Sequence, residues 1–305
     1  MAIVSVCIIV AGSKLLLPLG VEPPRLRRVA MSSKHLDDDR QARQATYEYE
    51  FDDSMAGRLV LVAGGTGGLG SAAAACLIDA GADVVLGYSS DERRARIVKE
   101  ALEARYRRRV EIVGGNITTD EGRRTLMSKV AGDNFYGAVI CVGDPARIPA
   151  ESLDMQRAQE AIAVNYSGPI LLARDCVQEL SGRQIPGSVV VISSMQGVEP
   201  FPGSLAYSGP KAALVHGARI LAQEYGGSSG VRVNVVAPGV TDTGMALASI
   251  QSGKYDRFID DGVIPRFGYP EDVARAVAFF MAPDNYVTGQ VLVVDGGLTL
   301  RRGTR

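Results

Sequence analysis

Tyr207 and Lys211 stand four residues apart in YSGPK, with Ser194 thirteen residues before the tyrosine. Residues i and i+4 share one face of a helix. A phenol beside an ammonium is an acid/base pair. The positive charge favours phenolate and should draw the tyrosine down from its usual pKa of about 10 toward the working range. A phenol so tuned can give a proton to a carbonyl oxygen or take one from an alcohol. Ser194 could hydrogen-bond the same oxygen. Alone, a Tyr-x-x-x-Lys spacing arises by chance and usually marks two solvated residues. Here its meaning comes from what lies upstream.

Upstream is AGGTGGLG, residues 63–70. It follows the apolar run Leu59-Val60-Leu61-Val62, which reads as a buried parallel strand. It precedes SAAAACL, which reads as a helix. Strand, glycine turn and helix start make a phosphate cradle: the backbone approaches a pyrophosphate closely, and the helix N-terminus favours its charge. The spacing is Gly64-x-x-x-Gly68-x-Gly70 rather than G-x-G-x-x-G. The simpler reading, a plain tight turn, is disfavoured by the strand and helix context that the motif requires.

The elements that must position these groups alternate along the chain. Strands are expected near 59–63, 83–87, 110–114, 137–142, 187–193, 231–236 and 291–294. Helices are expected near 68–80, 91–108, 119–131, 154–181, 204–226 and 270–281. Such alternation predicts a single-domain, Rossmann-type doubly wound parallel sheet of seven strands with helices on both faces. Ligands then bind at the carboxyl ends of the strands. The glycine loop, Gly143, Ser194 and Pro238-Gly239 all follow predicted strands and should share one rim. Pro210 suits a helix's first turn, which puts Tyr207 at a helix start. Residues 243–266 would cover the site as a substrate lid.

From about residue 57 to 300 the chain resembles the short-chain dehydrogenase/reductase family. The family's glycine motif matches Gly64, Gly68 and Gly70. Its active-site Asn, Ser, Tyr and Lys match Asn165 in VNYSG, Ser194 in VISSMQG, Tyr207 and Lys211. Its Pro-Gly cofactor segment matches Pro238 and Gly239 in NVVAPGVTDTGM. The closing stretch from GYPEDVARAV to VVDGG is similar to the 3-oxoacyl-acyl-carrier-protein reductase-like branch. The resemblance implies a nicotinamide dinucleotide held by Gly64, Thr66, Gly67, Gly68, Leu69, Gly70, Asn116, Ile117, Gly143, Tyr207, Lys211, Pro238, Gly239, Val240, Thr241 and Thr243. Tyr207 would then be the proton donor and Lys211 the holder of the nicotinamide ribose. Ser194 would orient the substrate oxygen, and Asn165 would hold a water that links Lys211 to solvent. Two positions depart from the pattern. Ile140-Cys141-Val142-Gly143 stands where Asn-Asn-Ala-Gly is usual, and Asn116 replaces the usual Asp near the adenine. An amide can still accept a hydrogen bond there.

Cofactor choice is read in ADVVLGYSSDERR, where an acid would bind the ribose 2′-hydroxyl. The family's acidic position falls on Tyr88, followed by Ser89 and Ser90, with Arg93 one turn on. Hydroxyls, helix amides and Arg93 suit a 2′-phosphate. Gly67, where many NADP-using relatives carry Arg, and Asp91, unless it only caps the helix, argue the other way. NADP(H) is favoured over NAD(H).

The chain has 305 residues, 46% of them hydrophobic, and a formal net charge of −1. That balance gives no electrostatic case for nucleic acid or a membrane surface. The basic run Arg105, Arg107, Arg108 and Arg109 reads as a solvated helix end. Four scattered cysteines and two histidines imply neither a disulfide framework nor a metal site. Cys76 and Cys141 are expected to be buried thiols. Residues 1–56 lie outside the alternation and read as a disordered or loosely packed extension, with an apolar start too short and broken for a membrane span. The expected protein is a cytoplasmic enzyme of the NAD(P)-dependent alcohol/ketone class, acting on a small molecule such as a 3-oxoacyl thioester or related ketone. By resemblance it is a homo-oligomer, dimer or tetramer. Its rivals are a non-catalytic dinucleotide-binding sensor or scaffold, and an epimerase or dehydratase, whose larger C-terminal substrate domain has no room here.

Overall fold

Long apolar runs make the strands. In β3 (Leu59–Ala63) the four residues from Val60 onward are buried. Parallel strands covered on both faces need such continuous runs. Successive side chains point to opposite faces, so Val60 and Val62 join one core while Leu61 and Ala63 join the other. The computed structural model describes residues 8–10, 13–15, 54–132 and 134–301. The chain divides into two units, Met1–Glu50 and Phe51–Arg305. In the first, β1 (Ile8–Val10) pairs antiparallel with β2 (Ser13–Leu15), a hairpin that the sequence reading does not anticipate. The rest of the N-terminal extension up to residue 53 lies outside the described residues.

The second unit holds β3 with β4 (Asp83–Tyr88), β5 (Val110–Gly114), β6 (Phe135–Ile140), β7 (Gly187–Ile192), β8 (Val231–Pro238) and β9 (Val291–Val294). Their order is β5-β4-β3-β6-β7-β8-β9 and every neighbouring pair is parallel. The strand order reverses between β3 and β6, and a crevice opens at such a switch point. Helices α1 (Gly68–Asp79), α2 (Glu92–Tyr106) and α7 (Pro270–Met281) close one face. Helices α3 (Asp120–Ser128), α5 (Gly168–Gly182) and α6 (Leu205–Tyr225) close the other. Met55, which the sequence reading leaves in the extension, is 2% exposed and its N–H donates to the Ala80 carbonyl at 2.8 Å. Among the described residues no helix is long and apolar enough to cross a membrane.

Two helices differ from expectation. The stretch expected as one helix over 154–181 is α4 (Met155–Ile162), a π-helical turn (Ala163–Ser167) and then α5. In that turn the Gly168 N–H reaches the Ala163 carbonyl, five residues back. Pro210 sits at the sixth position of α6, in its second turn rather than its first. Its missing N–H leaves the Ala206 carbonyl without an intrahelical donor. Tyr207, the third residue of α6, does stand at the helix start.

Candidate active site

The β3–α1 turn forms the floor of the crevice. Gly64 adopts φ +73°, and a side chain there would press on the Cys141 carbonyl of the neighbouring strand end at 2.9 Å. Gly67 caps α1 without any side-chain hydrogen bond, and no acidic residue lies in the first turn. The N–H groups at that end therefore face the crevice without a side-chain acceptor. A Cβ on Gly68 would fall 1.7 Å from Thr243 Oγ1, so the loop after β8 rests directly on the start of α1.

Two cavities meet there and share Gly67, Cys141, Val142, Gly143, Ala146 and Ile148. One, of about 670 Å³, is lined by Gly64, Thr66 and Gly67, by Tyr88 and Ser89, and by Asn116 and Ile117. The other, of about 730 Å³, is lined by Gly68, Leu69 and Gly70, by Ser194, Tyr207 and Lys211, and by Pro238, Gly239, Val240, Thr241 and Thr243. Ser90 is exposed and lines neither. Asn116 lines the first cavity, but its Oδ1 already accepts from the N–H (3.0 Å) and hydroxyl (2.9 Å) of Thr118, so it braces its own loop. Asp91 Oδ1 accepts from the Arg94 N–H at 2.9 Å as the cap of α2. The Tyr88 ring lies against Gly114, where a Cβ would come within 3.1 Å of it.

Lys211 lines the second cavity. It is 2% exposed, and its ammonium donates to the carbonyls of Ile192 at 3.1 Å and Val142 at 3.3 Å. No carboxylate pairs with it among the described residues. Burial without a counter-ion pulls it down from 10.5 to about 8. Ser193 fixes the helix beneath by donating to the Lys211 carbonyl at 2.9 Å. The Ser194 hydroxyl is near enough to the Tyr207 phenol to favour its ionised form, and it accepts from the Gln196 N–H at 3.2 Å. Tyr207 departs from expectation. Burial lifts it from 10 to about 12, with the Ser194 hydroxyl opposing the rise and Asp144 and Tyr255 adding to it. The Lys211 ammonium lies 5.8 Å from the centre of the Tyr207 ring, held by carbonyls, and desolvation outweighs its charge.

Asn165 sits in the π-helical turn and is fully buried. Its Nδ2 donates to the Ala161 carbonyl at 3.1 Å, and its Oδ1 accepts from the Asp144 N–H at 3.0 Å. It thereby pins the segment that replaces the usual Asn-Asn-Ala-Gly. A Cβ on Gly143 would stand 3.0 Å from both Asn165 Oδ1 and Lys211 Nζ. The departure at Cys141 leaves the strand intact, since its N–H still pairs with the Ala63 carbonyl at 2.8 Å. Cys76 and Cys141 are half-buried as residues rather than fully buried, and Cys176 is the enclosed one. The thiol of Cys141 is nonetheless packed closely enough to be pushed up to about 12.

Sequence reasoning missed Asp144, whose Oδ1 accepts from the Ala146 N–H at 2.8 Å and which opposes ionisation of Tyr207. It also missed Arg147, whose guanidinium donates to the Met245 carbonyl at 2.6 Å across the crevice. Neither lies in a recognisable motif.

An uncapped helix N-terminus, a glycine floor without side chains, hydroxyls at the end of β4 and a buried lysine beside a phenol together fit a dinucleotide with a reactive ring. Fold and site define a Rossmann oxidoreductase. A family described as Enoyl-(Acyl carrier protein) reductase matches residues 63–299. A glucose 1-dehydrogenase from Gluconobacter oxydans is 31% identical over 82% of this chain and 95% of its own length. A 3-oxoacyl-[acyl-carrier-protein] reductase from Thermotoga maritima is 30% identical over 81% and 99%. The structure of a short-chain type dehydrogenase/reductase from Mycobacterium ulcerans superposes with a TM-score of 0.75 at 30% identity, over 82% of this chain and 92% of that one. This chain belongs to the short-chain dehydrogenase/reductase family and is an NAD(P)-dependent oxidoreductase.

Proposed function

We propose that the chain interconverts a small-molecule ketone and its secondary alcohol, using NADP(H) in preference to NAD(H). The observation that carries this reading is the convergence of Ser194, Tyr207 and Lys211 on one cavity beside the glycine floor. The bound nicotinamide supplies or receives the hydride. Tyr207, which keeps its proton well above neutral pH, is suited to donate it to a carbonyl oxygen. Ser194 orients that oxygen. Lys211 holds the ribose and, with a pKa of about 8, exchanges protons near neutrality. Asn165 has one N–H and one lone pair in reserve for a water between Lys211 and solvent.

Preference for NADP(H) is supported by Tyr88 and Ser89 at the cavity wall and by Asp91, whose carboxylate is engaged as a helix cap. Residues 243–266 are assigned as a substrate lid because Thr243, Met245 and Tyr255 line the second cavity. Relatives of similar identity are named for glucose, a 3beta-hydroxysteroid and L-xylulose. A 3-oxoacyl thioester is one candidate among several, and the substrate has to be sought in this chain's own cavity.

The test is Tyr207→Phe, assayed with both cofactors against a panel of ketones. Cofactor binding should persist while turnover falls by about 10²–10⁴, the usual contribution of a positioned acid. A variant turning over at the wild-type rate would refute the assignment. Cofactor binding by a wild type that reduces no ketone and oxidises no alcohol would favour the sensor or scaffold reading.

A further inference from the structure

Most polar side chains in the second cavity are already engaged. Ser204 donates to the Phe201 carbonyl and shares a hydrogen bond with Ser208. Thr241 is bonded to the Gly239 carbonyl, and Arg147 to the Met245 carbonyl. Apart from Tyr207 and Thr243, to which the proposed function already gives roles, two half-buried groups are different. The Gln196 carboxamide and the Tyr255 hydroxyl line the cavity and have no hydrogen-bond partner among the described residues. Buried polar groups are otherwise nearly always paired. Polar groups facing an open cavity are met by solvent, and a ligand that fills it has to replace those hydrogen bonds.

Both stand close to the reacting centre. The Gln196 N–H bonds the Ser194 hydroxyl at 3.2 Å, so its side chain starts within a few bonds of the oxygen-binding group. Tyr255 is near enough to Tyr207 to weigh against the Tyr207 phenolate. Its ring is stacked on Phe258, centroids 6.2 Å apart and planes 16° apart. Phe258 is itself buried and edge-on to Phe201. The hydroxyl is thus carried on a braced aromatic wall. The charged groups of this cavity outside the proton-transfer set are exposed at its rim: Arg147, Glu151 and Lys254, the last over the Tyr255 ring at 5.5 Å.

We infer that Gln196 and Tyr255 recognise a second oxygen on the substrate, so that the compound turned over is a hydroxyketone or dicarbonyl, or its alcohol, and not a plain hydrocarbon ketone. A plain ketone would strip water from both groups and return nothing. Sites built to hydrogen-bond a substrate oxygen reject analogues lacking it far more strongly than apolar pockets reject a missing methylene. This inference rests on the ketone/alcohol reading above and names the substrate class of the same site.

The experiment uses matched pairs: cyclohexanone with 2-hydroxycyclohexanone, and 2-pentanone with 2,4-pentanedione and with ethyl acetoacetate. kcat/KM is measured with each cofactor for wild type, Gln196→Met and Tyr255→Phe. Cofactor-induced thermal shift confirms in each variant that the nucleotide site is intact. The wild type should favour the oxygenated member of at least one pair by tenfold or more. Each variant should cut that ratio several-fold, mainly through KM. A wild type that favours the plain ketones overturns the inference, as does a ratio that neither variant moves. Turnover confined to plain ketones removes the inference and leaves the ketone/alcohol reading standing. Cofactor binding without turnover of any compound removes both.

Discussion

Lys211 is buried in the absence of a counter-ion, and that arrangement should be visible in stability as well as in catalysis. The drop from 10.5 to about 8, at about 1.4 kcal/mol per pKa unit, corresponds to roughly 3 kcal/mol by which burial of the charged form opposes folding. Below pH 8 the whole penalty is present. Between pH 8 and 10.5 the unfolded chain binds a proton that the folded chain has released, so stability rises with pH. Lys211→Met removes this dependence. It also leaves the buried carbonyls of Ile192 and Val142 without their donor, at about 1–3 kcal/mol each. Near neutral pH the two effects roughly offset, and the variant should be about as stable as the wild type. By pH 10 the wild type should have gained about 2–3 kcal/mol on it. Urea unfolding of the cofactor-free proteins at pH 7, 8, 9 and 10 measures the difference. Parallel stability profiles would refute the placement of an uncompensated ammonium. Above pH 10 the sign reverses for Tyr207, raised to about 12: the unfolded phenol ionises first and stability falls, which is why the comparison stops there.

Tyr88→Asp should move preference toward NAD(H). A carboxylate about 4 Å from a 2′-phosphate interacts by roughly 4 kcal/mol at an effective dielectric of 20, and a third of that is about tenfold in the ratio of kcat/KM for the two cofactors. A wild type that already prefers NAD(H) would overturn the reading of GYSSDER. Asn165→Ala strands the Asp144 N–H and the Ala161 carbonyl and should lower stability by about 2 kcal/mol. Turnover should fall as well, measured by urea unfolding and steady-state rates; an unaffected protein would show that the π-helical turn holds itself. A chain starting at residue 54 should keep its activity, whereas Met55→Ala should cost about 2–5 kcal/mol, as buried methionines do; loss of activity on truncation would give the extension a role in the enzyme.

The seven strands of the sheet are legible because buried parallel strands demand Val/Ile/Leu-rich stretches, as in GSVVVI and in VRVNVVAP, where Arg232 and Asn234 are buried along with the valines. The site is legible where one residue type at one spacing has few other uses, as at Gly64, Tyr207 and Lys211. The π-helical turn is not, because one extra residue in a helix scarcely disturbs an apolar pattern read over several turns. The Tyr207 pKa went the other way for a related reason. Proximity of Lys211 can be counted from the chain, but enclosure of the phenol depends on Ser194, Asp144 and Tyr255 arriving from three other segments. Arg147 and Asp144 belong to the same class: what they do is set by a loop 98 residues away and by a helix turn, and neither neighbour is visible locally.

The π-helical turn also constrains how this stretch can vary. Each residue advances an α-helix by about 100°, and the wide turn between α4 and α5 absorbs one extra residue without passing that rotation on. With it, Leu172, Cys176 and Leu180 fall on the sheet. Deleting one residue from Ala163–Ser167 would leave an uninterrupted α-helix with that stripe still on the sheet, but it would shift Asn165 relative to the Asp144 N–H from which it accepts. The extra residue therefore serves the placement of Asn165 rather than the packing of α5. The geometry beside the buried lysine can thus vary here while the core helix keeps its packing.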